Sequence, residues 1–139
     1  MSKKPQQEIS HESPCPCQSG LLFDQCCQRF LDSSSDRHPE TAEQLMRSRY
    51  SAYVLNDLHY ILKTWHPDHR PDKLDLNDSG HHWIGLKIKS TQLGQKNDLT
   101  GKVHYIARFK INGKAHKLEE NSLFEKINGH WTYIKEHIS

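Results

Sequence analysis

From residue 82 onward, apolar residues recur at every second position, and the run is interrupted twice by Asn-Gly, at Asn112-Gly113 and Asn128-Gly129. Both central residues of a type I′ turn need positive φ, which Asn and Gly adopt at least cost, so each dipeptide between alternating stretches marks a hairpin. Ile84, Leu86 and Ile88 alternate with Gly85, Lys87 and Lys89. Val103, Tyr105, Ala107, Phe109 and Ile111 alternate with His104, Ile106, Arg108 and Lys110. Leu118, Glu120, Ser122 and Phe124 share one face of a third strand, and Trp131 and Tyr133 share a face of a fourth. A loop from Gly94 to Asp98 joins the first two. The pattern predicts a four-stranded antiparallel meander.

Upstream the period is helical. Ala42, Met46, Tyr50 and Tyr53 fall on one stripe, broadened by Leu45, Ala52 and Leu55, which predicts a helix over 40–56. Thr41 or Asp36 suits its N-cap, and Pro39 its first turn. Asn56-Asp57 reads as a stop followed by a new cap. A second helix then runs from Leu58 to Trp65 and ends at His66-Pro67, because proline disfavours helical geometry in the residue before it. Residues 67–80 are a loop, punctuated by Pro67, Pro71, Asn77-Asp78 and Gly80. Helix and sheet must bury their apolar faces on each other, which makes the fold class α+β.

Along the chain, 1–14 read as a polar arm, 15–31 as a cysteine segment, 32–39 as a linker and 40–139 as the main domain. At 139 residues there is room for one domain and a short appendage. Lys and Arg number 19 against 17 Asp and Glu, a formal charge of +2, which argues against a nucleic-acid binder. No run approaches the ~18–20 apolar residues that span a bilayer. The first residues, Met1 to Glu8, carry no apolar segment of a secretory signal. The expected location is the cytoplasm, off the membrane, where thiols stay reduced.

All four cysteines lie between positions 15 and 27, as Cys15-Pro16-Cys17, eight residues, then Cys26-Cys27. Reduced and clustered, they point to metal binding or redox chemistry rather than to disulfides, and a vicinal Cys26–Cys27 bridge would be strained. Four thiolates converging from two short segments match a structural tetrahedral Zn²⁺ site with no open position for chemistry. Pro16 aims two thiols together, Gly20 suits a turn, and backbone N–H groups near Ser19 are expected to donate to sulfur. Leu21, Leu22 and Phe23 are expected to form an apolar lid against Phe30 and Leu31.

The segment resembles the SEC-C motif, a zinc knuckle found at the C-terminus of a bacterial preprotein translocase motor and in many other bacterial proteins. Ser19, Gly20 and Phe23 follow its pattern; Gln18 stands where Gly is usual. The knuckle, together with Arg47-Ser48-Arg49-Tyr50, Thr64-Trp65-His66-Pro67 and Glu120, Ser122 and Phe124, resembles the YchJ family over most of 15–136. That resemblance implies a nuclear-transport-factor-two-like (cystatin-like) cone, a curved sheet wrapped around a helix, and many members add a second, C-terminal knuckle. The knuckle can staple the N-terminus to the fold, and the translocase analogy implies contact with a partner protein; the two roles are compatible.

Such cones often hold a pocket. Glu120 falls on an apolar face, where a carboxylate needs a partner, and Arg49 or Arg47 offers the matching fork. Tyr50, Tyr53, Trp65, His66 and Ser122 are the other candidate lining residues of a small-molecule binder or an enzyme, with His66 able to move a proton. The alternative is a buried ion pair that fixes helix to sheet, with the aromatics as plain core. The exposed face of such a sheet can pair two copies into a homodimer. His59, His69 and His81-His82 read as surface, as do Lys87, Lys89, Arg108 and Lys110.

Overall fold

A computed structural model describes residues 10, 12–74 and 80–137 of the chain. Most of the arm expected over 1–14, and residues 75–79 of the expected loop, lie outside them. A 3-10 turn, Phe23–Gln25, leads into a single helical turn α1 (Gln28–Leu31). Then come α2 (Ala42–Val54), α3 (Leu58–Lys63) and the strands β1 (His82–Leu93), β2 (Thr100–Ile111), β3 (Lys114–Ile127) and β4 (His130–Glu136). The sheet is antiparallel in the order β1-β2-β3-β4. Both Asn-Gly turns take positive φ throughout, at Asn112 and Gly113 and at Asn128 and Gly129. The first holds the long strands β2 and β3 in unbroken register from Thr100 opposite Glu125 to Ile111 opposite Lys114.

The helix caps follow from local chemistry. Thr41 Oγ1 accepts from Gln44 N at 3.1 Å, and Gln44 Oε1 reaches back to accept from Glu40 N at 2.8 Å. The first bond satisfies an amide that the opening turn leaves without a partner, and the second ties the residue before the cap to that turn. Asn56, at φ +57°, turns the chain out of α2, and Asp57 Oδ1 caps α3 by accepting from Tyr60 N at 3.1 Å.

Helix α3 stops at Lys63, short of the expected Trp65, because 64–66 pair with β4 instead. Tyr133 N donates to Thr64 O at 2.8 Å and His66 N to Tyr133 O at 2.7 Å. Helix α2 is buried on more than its expected stripe. Ser48, Arg49 and Ser51 are buried with Leu45, Met46 and Tyr50, because the sheet covers one side and the cysteine segment and α3 cover the others. Small side chains at 48, 51 and 52 let these neighbours approach.

Strand β1 departs from simple alternation. A bulge between Trp83 and Gly85 puts Trp83 opposite Phe109 and Leu86 opposite Ala107, on the inner face. Ile84, expected to point inward with Leu86, is left 38% exposed. Where β1 turns into β2, the backbones of Gly94 and Gly101 touch, and Ala42 N at the start of α2 donates to Gly94 O at 2.9 Å. A Cβ at Gly101 would lie 2.5 Å from Gly94 Cα, and neither backbone can retreat from α2. Gly101→Ala should therefore destabilise by about 3 kcal/mol, a large overpacking penalty, read as a lower urea midpoint at unchanged slope.

Candidate metal centre

The cysteine segment is a small closed loop. Cys15 N donates to Leu21 O at 2.9 Å, Gln18 N to Cys15 O at 3.0 Å, and Pro14 bridges Leu22. The sharp reversal uses positive φ at Gln18 and Gly20. The second pair is delivered by the 3-10 turn: Cys26 N donates to Phe23 O at 3.1 Å, and Cys27 opens α1. The result brings all four Sγ atoms within 4.8 Å of one another, all buried. Cys17 and Cys26 sulfurs are 3.6 Å apart and those of Cys26 and Cys27 4.0 Å. A tetrahedron with Zn–S bonds of about 2.3 Å has S···S edges of ~3.8 Å. The cysteines are free, with no disulfide among them. Their spacing fits a single four-coordinate ion.

Proton sharing within the cluster shows why a cation suits it. Hydrogen bonding to Cys17 and Cys27 holds the Cys15 thiol down at about 3. Hydrogen bonding to Cys27, helped by Ser19, holds Cys26 at about 6 despite burial. Cys27, bonded to Cys15, Cys17 and Cys26 and buried, is pushed up. One sulfur thus keeps its proton among anionic neighbours, a role that a divalent ion would take over. The backbone amides of Cys17 and Cys27 serve the Cys15 sulfur, and the Ser19 hydroxyl serves Cys26, at 3.1 Å. Leu21 N donates to Ser19 Oγ at 3.2 Å.

The centre is joined to the domain. Cys15, Cys17, Cys26 and Cys27 pack in the same apolar cluster as Leu45, Met46, Tyr50, Leu86 and Phe124. Cys15 Sγ lies 3.7 Å from Ser51 Oγ on α2. Arg47 reaches the knuckle: its Nη1 donates to Cys17 O at 2.9 Å while its Nε holds Glu43 at 3.0 Å. Gln18, where glycine is usual, carries its side chain over Gly85, and its Oε1 accepts from Leu86 N at 3.0 Å. Gln18→Ala should keep the left-handed strain and lose that bond, for a loss of about 1–2 kcal/mol. Thermal melting of the metal-loaded variant measures it. Of the expected lid only Phe23 is buried; Leu21 and Leu22 are 48% and 39% exposed.

The interior candidates separate. Arg47 and Tyr50 lie toward the knuckle and Trp83. Arg49, Tyr53, Trp65, Glu120 and Ser122 gather on the inner face with Tyr105 and Tyr133. The expected Arg–Glu ion pair does not form among the described residues. Arg49 Nη1 instead donates to Ile61 O at 2.8 Å and Thr64 Oγ1 at 2.7 Å, and its guanidinium lies over the rings of Trp65 and Tyr133. Glu120 takes hydroxyls: Tyr133 donates to its Oε2 at 2.9 Å, and Ser122 donates to the same oxygen. Ser122 is in turn bonded to Tyr105. Burial raises Tyr53, Tyr105 and Tyr133, so these phenols stay protonated and available as donors. His66 stands apart at the mouth of the Thr64–His66 segment, its Nε2 3.6 Å from Glu125. Tyr105 and Tyr133 were legible only as strand positions, with nothing in the sequence to mark them as partners of Glu120.

Among the described residues no helix is long and apolar enough to cross a membrane. Residues 41–136 match the model of the YchJ middle NTF2-like domain, and 13–29 that of the SEC-C motif. A UPF0225 protein of Chromobacterium violaceum is 43% identical over 86% of the chain and 89% of its own length. One from Streptomyces coelicolor is 43% identical over 86% and 91%. The solution structure of RPA3114, a SEC-C motif containing protein from Rhodopseudomonas palustris, superposes with a TM-score of 0.77 at 31% identity, covering 90% of this chain and 98% of that one. The crystal structure of a SEC-C motif containing protein from Psychrobacter arcticus gives 0.75 at 29%, covering 93% and 85%. With the knuckle and the helix-wrapping antiparallel sheet both present, the chain belongs to the YchJ (UPF0225) family and carries its cystatin-like, NTF2-like fold.

Proposed function

We propose that this is a cytoplasmic zinc-binding protein in which a structural four-cysteine knuckle is built into the domain core and carries a contact surface for a partner protein. The observation that supports it best is the buried sulfur quartet, all within 4.8 Å. Zn²⁺ suits four thiolates in tetrahedral array and, once four-coordinate, offers no open site for substrate. When bound it supplies a cross-link and positive charge; Arg47 beside Cys17 offsets the remaining negative charge. The outward side of the same loop presents Leu21 and Leu22, apolar residues at the tip of a rigid scaffold.

The double variant Leu21→Asp, Leu22→Asp tests the contact role. It should keep its metal and its melting temperature yet lose the cross-linked partner that the wild-type chain yields in the cell. Unchanged cross-linking by that variant would overturn it. A second reading, a small-molecule site on the inner face, draws support from Glu120, a half-buried carboxylate served by Tyr133 and Ser122 beside a buried guanidinium. Ligand-dependent stabilisation that vanishes in Glu120→Gln would favour it.

A further inference from the structure

Where the linker ahead of α2 crosses α1, α3 and β4, it leaves a cavity of about 150 Å³ walled by Arg37, His38, Lys63 and His130, with Tyr60 and Trp131 beneath. Cavities of about 220 and 260 Å³ share His38 with it, and both are lined in addition by Glu40. This place is separate from the sulfurs and from Glu120. The linker is held down over it: Trp131 Nε1 donates to Glu40 O at 3.1 Å, and the rings of His38 and His130 sit 3.9 Å apart.

The charges here do not balance internally. Glu40, just after the linker, is taken by Lys96 at 3.4 Å. Arg37 and Lys63 make no ion pair among the described residues, and Lys63 rests over the ring of Tyr60. His38 is held below its ordinary value of 6.5, first by burial and then by the positive fields of His130 and Lys63, with Asp36 opposing weakly. Cationic groups crowded round a recess, with no carboxylate among its walls, are what an anionic ligand would relieve.

We propose that this cavity binds the phosphate group of a phosphorylated small molecule, with Arg37 and Lys63 on the oxygens, His38 and His130 flanking them, and the Tyr60–Trp131 floor under the organic part. A phosphate monoester carries about −1.5 to −2 charges and three strong acceptor oxygens. It therefore uses a fork, an ammonium and two imidazoles more fully than a carboxylate can. A recess of about 150 Å³ does not suit a polymer tracking across a surface.

The test is an NMR titration of the metal-loaded full chain at constant ionic strength, with inorganic phosphate, phenyl phosphate and a single-stranded oligonucleotide as probes. Inorganic phosphate should give saturable shifts confined to the Trp131 indole, the His38 and His130 rings and the Arg37 amide. Phenyl phosphate should bind more tightly at the same residues. Arg37→Gln and Lys63→Gln, both at exposed positions, should each weaken binding about tenfold, a loss of about 1.4 kcal/mol. Lys110→Gln, on the inner strand β2 and outside the cavity's walls, should change nothing. Non-saturating shifts spread over the surface lysines, equal weakening by Lys110→Gln, or preferential binding of the oligonucleotide would each overturn the proposal.

Discussion

Cys17→Ser should strip the protein of its metal and lower its stability by several kcal/mol, the largest effect expected of any single substitution here. Cys17 is fully buried and packs in the cluster that α2, β1 and β2 share. Losing one thiolate leaves three sulfurs and a weak hydroxyl, while the remaining anionic groups face one another inside that core. Structural zinc contributes about 10–16 kcal/mol to the folding of isolated zinc-finger peptides. This chain also has a four-stranded sheet to fold on, so only part of that sum is at stake; against a typical total of about 5–15 kcal/mol it remains decisive. Thermal melting with and without a chelator measures it. The wild type should fall on chelation to the melting temperature of the variant, and the variant should not respond. A hinged knuckle would behave otherwise, with the sheet melting unchanged after metal loss.

The second large effect concerns Arg49. Its guanidinium is buried and satisfied by Ile61 O and Thr64 Oγ1, with Trp65 and Tyr133 on its faces. Arg49→Ala leaves the Ile61 carbonyl only a long bond from Thr64 Oγ1, at 3.3 Å, and opens a void between two aromatic rings, together about 3–5 kcal/mol. Glu120→Gln should cost under about 1 kcal/mol, because the amide oxygen still accepts from Tyr133 and Ser122. The contrast matters. A direct Arg49–Glu120 pair would make the two substitutions comparably damaging, since each would strand a buried charge. Urea midpoints of the two variants separate the cases.

What the sequence made legible was local. The two Asn-Gly turns, the Thr41 and Asp57 caps and the Cys-x-Cys, Cys-Cys spacing each act over a few residues. Their chemistry permits few alternatives, and the structure holds them as expected. What it hid depended on distant partners. Ile84 faces outward because a bulge slips β1 by one residue against β2, and a two-against-one mismatch leaves no trace in the alternation. Trp65 left its expected helix for the edge of the sheet, at Tyr133 on the last strand. Arg47 and Arg49 looked equivalent two positions apart, yet about 200° of helical rotation sends one to the knuckle and the other to α3. Gln18 kept the turn that glycine usually makes because its side chain gains Leu86 N in exchange.

Metal and thiol content, measured together on protein purified without oxygen, test most directly whether one ion holds the four sulfurs. The expected result is one zinc per chain, with all four thiols unreactive toward a thiol reagent until a chelator is added. Freely reactive thiols on a folded, metal-free chain, or sulfurs recovered as paired disulfides, would contradict it.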